Sequence, residues 1–233
     1  MEKYLKPIPT NIKRIKIDVG LSYNAPQSQI WLDHDDDLFV FGFEPNEENI
    51  ASLTIGNVQK RHPSHGTPIS AKNMERFCLI PVALENVEVE TEMVFYETEK
   101  DSGTSSLNRP IESELGAIKN TRKVPVFALK HFFDAFDWER FPFIEYLKID
   151  AQGSDLNILK SAEHYLSDRI LFVTAEAEMH TYEGISNNNQ YNMDKYMSEK
   201  GFIRISHPNT SDPTYLNIRL MEHDKDVFIF QQG

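Results

Sequence analysis

Four apolar runs of strand length, each closed by a carboxylate, constrain this chain more than any other feature. Residues 12–19 alternate Ile15 and Ile17 with Lys16 and end on Asp18-Val19-Gly20. Residues 38–43 are apolar throughout and meet Glu44, residues 144–150 end on Asp150, and residues 170–175 meet Glu176. Runs without a polar face need cover on both sides, which strands of a parallel sheet obtain from helices. Helical patterns lie between them. Pro26 opens a helix over 26–32, and Asn46, Glu47 and Glu48 open a second in which Ile50 and Leu53 share a face. Residues 129–136 predict another helix, and 155–166 place Leu156, Leu159, Ala162 and Leu166 on one side. A last helix over 192–200 is closed by Gly201.

Further strands are expected at 77–83, 87–96, 124–127 and 202–206, and an antiparallel pair at 215–221 and 227–231 joined by a polar turn. Residues 59–72 read as loop, and 99–123, rich in Ser, Gly, Asn and Pro, as an inserted loop or flap carrying Ser105, Ser106 and Arg109 over a substrate. The fold class is therefore α/β: a mostly parallel sheet with helices on both faces and an antiparallel C-terminal strand pair. With 233 residues, 40% of them apolar, the chain reads as a single domain spanning 1–233.

The balance of charge and cysteine narrows the function. Asp and Glu number 36 against 24 Lys and Arg, a net charge of −12, which opposes nucleic acid as a partner. Lone Cys78, in an apolar strand, reads as core and suits a reducing compartment. No run reaches membrane-spanning length and the first residues lack the apolar stretch of a signal peptide, so a cytoplasmic location is expected. Asp33-His34-Asp35-Asp36-Asp37 has oxygen-ligand composition but lacks the spacing and glycine of a calcium loop; His62 and His65 have no evident partner ligands. No metal site is expected.

Ligands of open α/β sheets bind outside the carboxyl ends of the strands, which gives the four acids their weight. The turn from Asp18 to Asn24 offers Gly20 where positive φ or a close approach is needed, followed by Leu21 and Ser22. It lacks the glycines of the dinucleotide fingerprint, which argues against an NAD-dependent oxidoreductase. Glu44, at the end of the second strand, is placed to accept ribose hydroxyls.

The runs Lys16-Ile17-Asp18-Val19-Gly20, Phe43-Glu44-Pro45-Asn46 and Leu147-Lys148-Ile149-Asp150-Ala151-Gln152-Gly153, followed by Leu159-Lys160-Ser161-Ala162, resemble the FkbM-type methyltransferases from about residue 14 to residue 176. The resemblance implies a class I methyltransferase fold, S-adenosylmethionine as cofactor, and O-methylation of a sugar, glycan or related small molecule. By motif, it puts Asp18, Gly20, Leu21, Ser22 and Asn24 at the methionine end, Glu44 and Pro45 at the ribose, and Val82 and Ala83 near the adenine. Asp150 borders the transfer site and Glu176 the substrate side. Ser22 and Asn24 stand where methyltransferases commonly carry glycine.

Methyl transfer rests mainly on positioning, but a hydroxyl acceptor must also lose its proton. Asp150, Glu176 and His180 are the candidate bases, Asp150 first because it ends the central strand. Two other readings stay open: a methyltransferase-like domain without activity that serves as a scaffold, favoured by the glycine-poor first turn, and a nucleic-acid methyltransferase, opposed by the charge. The sequence leaves oligomeric state open.

Overall fold

The computed structural model describes residues 1–56, 68–177 and 181–223. The first half runs β1 (Arg14–Val19), α1 (Pro26–His34), β2 (Leu38–Phe43), α2 (Glu47–Ile55), α3 (Ala71–Met74) and β3 (Phe77–Ile80). An insertion follows: β4 (Ala83–Leu84), β5 (Thr91–Thr98), α4 (Glu112–Leu115) and β6 (Ile118–Phe127). The second half carries α5 (Leu129–Phe133), β7 (Ile144–Ile149), α6 (Asp155–Ser161), α7 (His164–Arg169) and β8 (Ile170–Ala175). It ends with α8 (Gln190–Glu199), β9 (Phe202–Arg204), β10 (Thr214–Asn217) and α9 (Ile218–His223).

Seven strands form the main sheet in the order β3-β2-β1-β7-β8-β10-β9, parallel except for β10, which runs antiparallel to both β8 and β9. Alternation across the pleat explains why β2 has no polar position. Phe39, Phe41 and Phe43 join one core with Phe132, Leu156 and Met193, while Leu38 and Val40 join another with Trp31, Leu32 and Leu53. Phe132 lies 5.0 Å from Phe41 and 5.5 Å from Phe43 in edge-on arrangements, so the helix after the insertion is held by aromatic packing. Cys78 is buried in β3, as a core residue would be.

Several boundaries differ from the sequence expectation. The strand expected over 77–83 divides at Pro81, which has no N–H for the ladder; Val82 N–H turns back to Ile80 O at 2.9 Å, and β4 pairs with β6 in a separate three-stranded sheet, β4-β6-β5. The flap expected to reach residue 123 becomes strand at Ile118, and the expected strand at 124–127 is the end of ten-residue β6. The expected helix over 155–166 divides where Glu163 takes φ +53°. The expected strand over 215–221 stops at Asn217, whose buried amide donates to Ser167 O and Ile170 O at 2.8 and 2.9 Å while its oxygen accepts from Arg219 N–H and starts α9. The expected strand at 227–231, His62, His65 and His180 lie outside the described residues.

Candidate functional site

The order of the main sheet reverses direction between β1 and β7, and a crevice at such a switch point is where an open α/β sheet takes its ligand. Gly20 follows β1 and Asp150 follows β7, with Asp150 N–H donating to Val19 O at 3.0 Å. Gly20 has φ +78°, and a Cβ there would lie 1.8 Å from Asp150 O. Its glycine is thus required by the approach of one strand-end loop to the other. Ser22 also adopts a left-handed φ, +55°, so this turn forms with serine where glycine would be unstrained, at a cost of about 1 kcal/mol.

Glu44 joins the two neighbouring loops. One carboxylate oxygen accepts from Ser22 N–H at 2.9 Å and the other from Asn46 N–H at 2.8 Å. Asn46 in turn caps α2 by accepting from Glu48 N–H, which fixes the helix entry beside the carboxylate. Burial pushes the Glu44 carboxyl up to about 7 against the opposing hydrogen bonds from Asn46, Asn49 and Ser22. A carboxylate has about four lone-pair sites, so these three donors leave room for another.

Beneath the crevice Asp18 is buried between β1 and α1, accepting from Ser28 Oγ at 2.6 Å and lying 3.4 Å from Lys148 Nζ. Burial pushes the Asp18 carboxyl up, whereas for Lys148 the burial is outweighed by the Asp18 and Asp150 charges, which hold its proton more firmly than usual. Lys148 also lies 3.4 Å from Asp150 Oδ2. It therefore fixes the ends of β1 and β7 together by charge.

On the β7–β8 side, Gln152 bridges two carboxylates. Its Nε2 donates to Asp150 at 2.6 Å and lies 3.2 Å from Glu176, and its Oε1 accepts from Tyr182 OH at 2.6 Å. Gln152 holds φ +54°, a second strained non-glycine residue on the crevice wall. Asp155 sits below it, fully buried, accepting from Glu176 N–H at 3.0 Å with one oxygen, while its other oxygen has no partner among the described residues. Burial, and then the Asp150 charge, push the Asp155 carboxyl up to about 7.

The crevice is closed from above by residues 102–108. Ser102 Oγ donates to Asn49 Oδ1 at 2.7 Å, Ser105 Oγ lies 3.4 Å from Asn46 Nδ2, and Ser106 Oγ donates to Gln152 O at 2.8 Å. This strap runs from the start of α2 to the Gln152 turn. Between its ends Gly103 lies over Ser22, where a Cβ would come 2.7 Å from Ser22 Oγ. The strap leaves a cavity of about 60 Å³, smaller than the roughly 300–1,000 Å³ of small-molecule sites, so a ligand of that size enters only as the strap shifts.

Of the residues expected from sequence, Gly20, Ser22, Glu44, Pro45, Val82, Ala83 and Asp150 line this cleft together. Asp18 supports it from below. Leu21 turns into the core beside Leu32 and Trp31, and Asn24 lies off the cleft wall, its carbonyl accepting from Gln29 Nε2. Glu176 reaches the site through Gln152, and His180 is not among the described residues. Arg109 points to Glu112 and Glu183 rather than over the cleft. The Asp33–Asp37 acids form ion pairs and hydrogen bonds with Arg14, Lys72 and Asn73, as a surface turn would, and no cluster of metal-ligating side chains occurs among the described residues. Gln152, Asn49, Phe95 and Ser102 also line the cleft without having been expected there, although Gln152 and Gly153 stand in the run from Leu147 to Gly153.

A mostly parallel seven-stranded sheet, helices on both faces, and a strand-end cleft holding an acid after β2 define a class I methyltransferase fold. Residues 30–204 match the methyltransferase FkbM domain, and the chain belongs to that family. The match begins after the Gly20 turn. Solved structures similar to this chain include an antibiotic-related methyltransferase, 9% identical with a TM-score of 0.35, covering 92% of this chain and 96% of the other. Another is the antibiotic-resistance methyltransferase Kmr, 11% identical with a TM-score of 0.36, covering 89% of each chain. No curated protein matches. No helix among the described residues is long and apolar enough to cross a membrane.

Proposed function

We propose that this methyltransferase uses S-adenosylmethionine to methylate a hydroxyl of a sugar, glycan or related small molecule in the cytoplasm. One observation carries the cofactor reading: Glu44, immobilised by two backbone N–H groups at the end of β2, lines the cleft with acceptor capacity to spare. The remaining walls suit the same ligand. Val82 and Ala83 offer an apolar face to a purine, Glu44 accepts ribose hydroxyls, and Asp150 with the Gly20–Ser22 turn flanks the amino-acid end. S-adenosylmethionine supplies an electrophilic methyl group on a sulfonium.

The chain's own work is to orient the acceptor and take its proton. Asp150 is the base in this reading, because it stands on the cleft wall with a half-exposed side chain. Gln152 and Lys148 each approach one of its oxygens and hold the carboxylate in one orientation. Glu176, 3.2 Å from the same amide, faces the acceptor side, and His180 remains a further candidate from sequence. The serine in the first turn does not prevent that turn from forming, which favours an active enzyme over a scaffold. Calorimetric titration with S-adenosylmethionine and S-adenosylhomocysteine tests the proposal. Saturable binding that Glu44→Ala weakens is expected; folded wild-type protein that binds neither ligand would refute it.

A further inference from the structure

The apolar end of the cleft is also the core of the small sheet. Ala83, Phe95, Val124 and Val126 form one buried cluster, with Leu107 packed against it, and Ala83, Phe95 and Leu107 all face the cleft as well. Ala83 comes from β4, Phe95 from β5, and Leu107 from the strap, so three separate pieces of the insertion converge there. Their position is fixed by more than apolar packing. Tyr96 pairs with Ser106 across the sheet, Ser105 Oγ accepts from Thr98 N–H at 3.2 Å, and Ser106 holds the Gln152 carbonyl. Phe95 and Leu107 are thereby held on opposite arms of one bridge, against Ala83.

We propose that the insertion supplies the purine-binding wall, with Phe95 and Leu107 enclosing the adenine of the cofactor against Val82 and Ala83. This rests on the cofactor reading above and assigns the small sheet to cofactor selection. A flat aromatic heterocycle gains most from an apolar slot, and this end is the apolar one, whereas the Gly20, Glu44, Asp150 and Gln152 end is polar. Ser102 and Ser105, tied to Asn49 and Asn46, join this wall to the helix that fixes Glu44, so purine and ribose are read by connected elements.

Two variants test it without an acceptor. In Leu107→Ala, calorimetry should show S-adenosylhomocysteine and adenosine weakened by the same factor, about tenfold, with S-adenosylhomocysteine still strengthened by Glu44 relative to Glu44→Ala. Leu107→Cys gives a direct readout, because the native Cys78 is buried. Its reaction with a maleimide should slow markedly in the presence of S-adenosylhomocysteine or adenosine and not with methionine. Wild-type-like affinity in Leu107→Ala together with unslowed labelling would overturn the inference while leaving the cofactor reading intact. Failure of the wild type itself to bind S-adenosylhomocysteine would overturn both.

Discussion

Glu44 makes cofactor affinity depend on pH in a calculable way. Its carboxyl is pushed up to about 7 by burial, so close to half the molecules carry it protonated at pH 7. Ribose hydroxyls donate to the carboxylate, so binding favours the ionised form and draws the proton off. With a free-protein value near 7 and a lower one when bound, apparent affinity falls about tenfold from pH 8 to pH 6, and about half a proton leaves on binding at pH 7. The assay is titration of S-adenosylhomocysteine at pH 6, 7 and 8 in buffers of different ionisation enthalpy. Glu44→Gln should bind more weakly and lose the slope. Asp155, also near 7 and close by, is the competing titrating group, and Asp155→Asn should retain the slope. Affinity in the wild type that does not change with pH, or an equal slope in Glu44→Gln, would refute the reasoning.

Stability carries the same signature with opposite consequence. Asp155 and Glu44 keep their protons in the folded chain to about pH 7 but lose them near pH 4 to 4.5 when unfolded, so raising pH through that window favours unfolding. Together they give a loss of roughly 5 kcal/mol between pH 5 and pH 8, of which Asp155→Asn should remove about half, read from urea midpoints. Gly20→Ala places a methyl group against the Asp150 carbonyl at φ +78°, and should cost more than about 3 kcal/mol by the same assay. Lys148→Met leaves buried Asp18 without its counter-charge and should cost about 3–5 kcal/mol, a loss that lessens as falling pH neutralises the carboxyl that burial already pushes up. Phe132→Ala, which empties the aromatic cluster under β2, should cost about 3–5 kcal/mol with the cleft's ligand preference unchanged.

The parts of this fold that were legible in sequence are those set by burial. Strands β2 and β8 are apolar because helices cover both faces, and their ends announced Glu44 and Glu176 because burial stops there. Asn46 and Gly201 punctuate helices by local chemistry, which needs no knowledge of the rest of the chain. The strap was not legible, because residues 99–117 have no period and are placed by hydrogen bonds to Asn46, Asn49 and Gln152, far away in sequence. The extension of β6 was hidden for a related reason: its first half is polar and exposed, so only pairing with β5 reveals it as strand. Gln152 stood in a recognisable motif, yet its left-handed backbone and its place between two carboxylates depend on the meeting of β7, β8 and Tyr182. Asn217 similarly ends β10 through carbonyls of α7 and β8 that the local sequence does not reveal.

The most direct test of the central claim is a crystal structure of the protein with S-adenosylhomocysteine. Ligand density is expected in the cleft, with ribose hydroxyls on Glu44, the purine between Ala83 and Leu107, and the sulfur facing Asp150. Well-ordered ligand elsewhere, or density in the cleft with Glu44 turned away from the ribose, would contradict it.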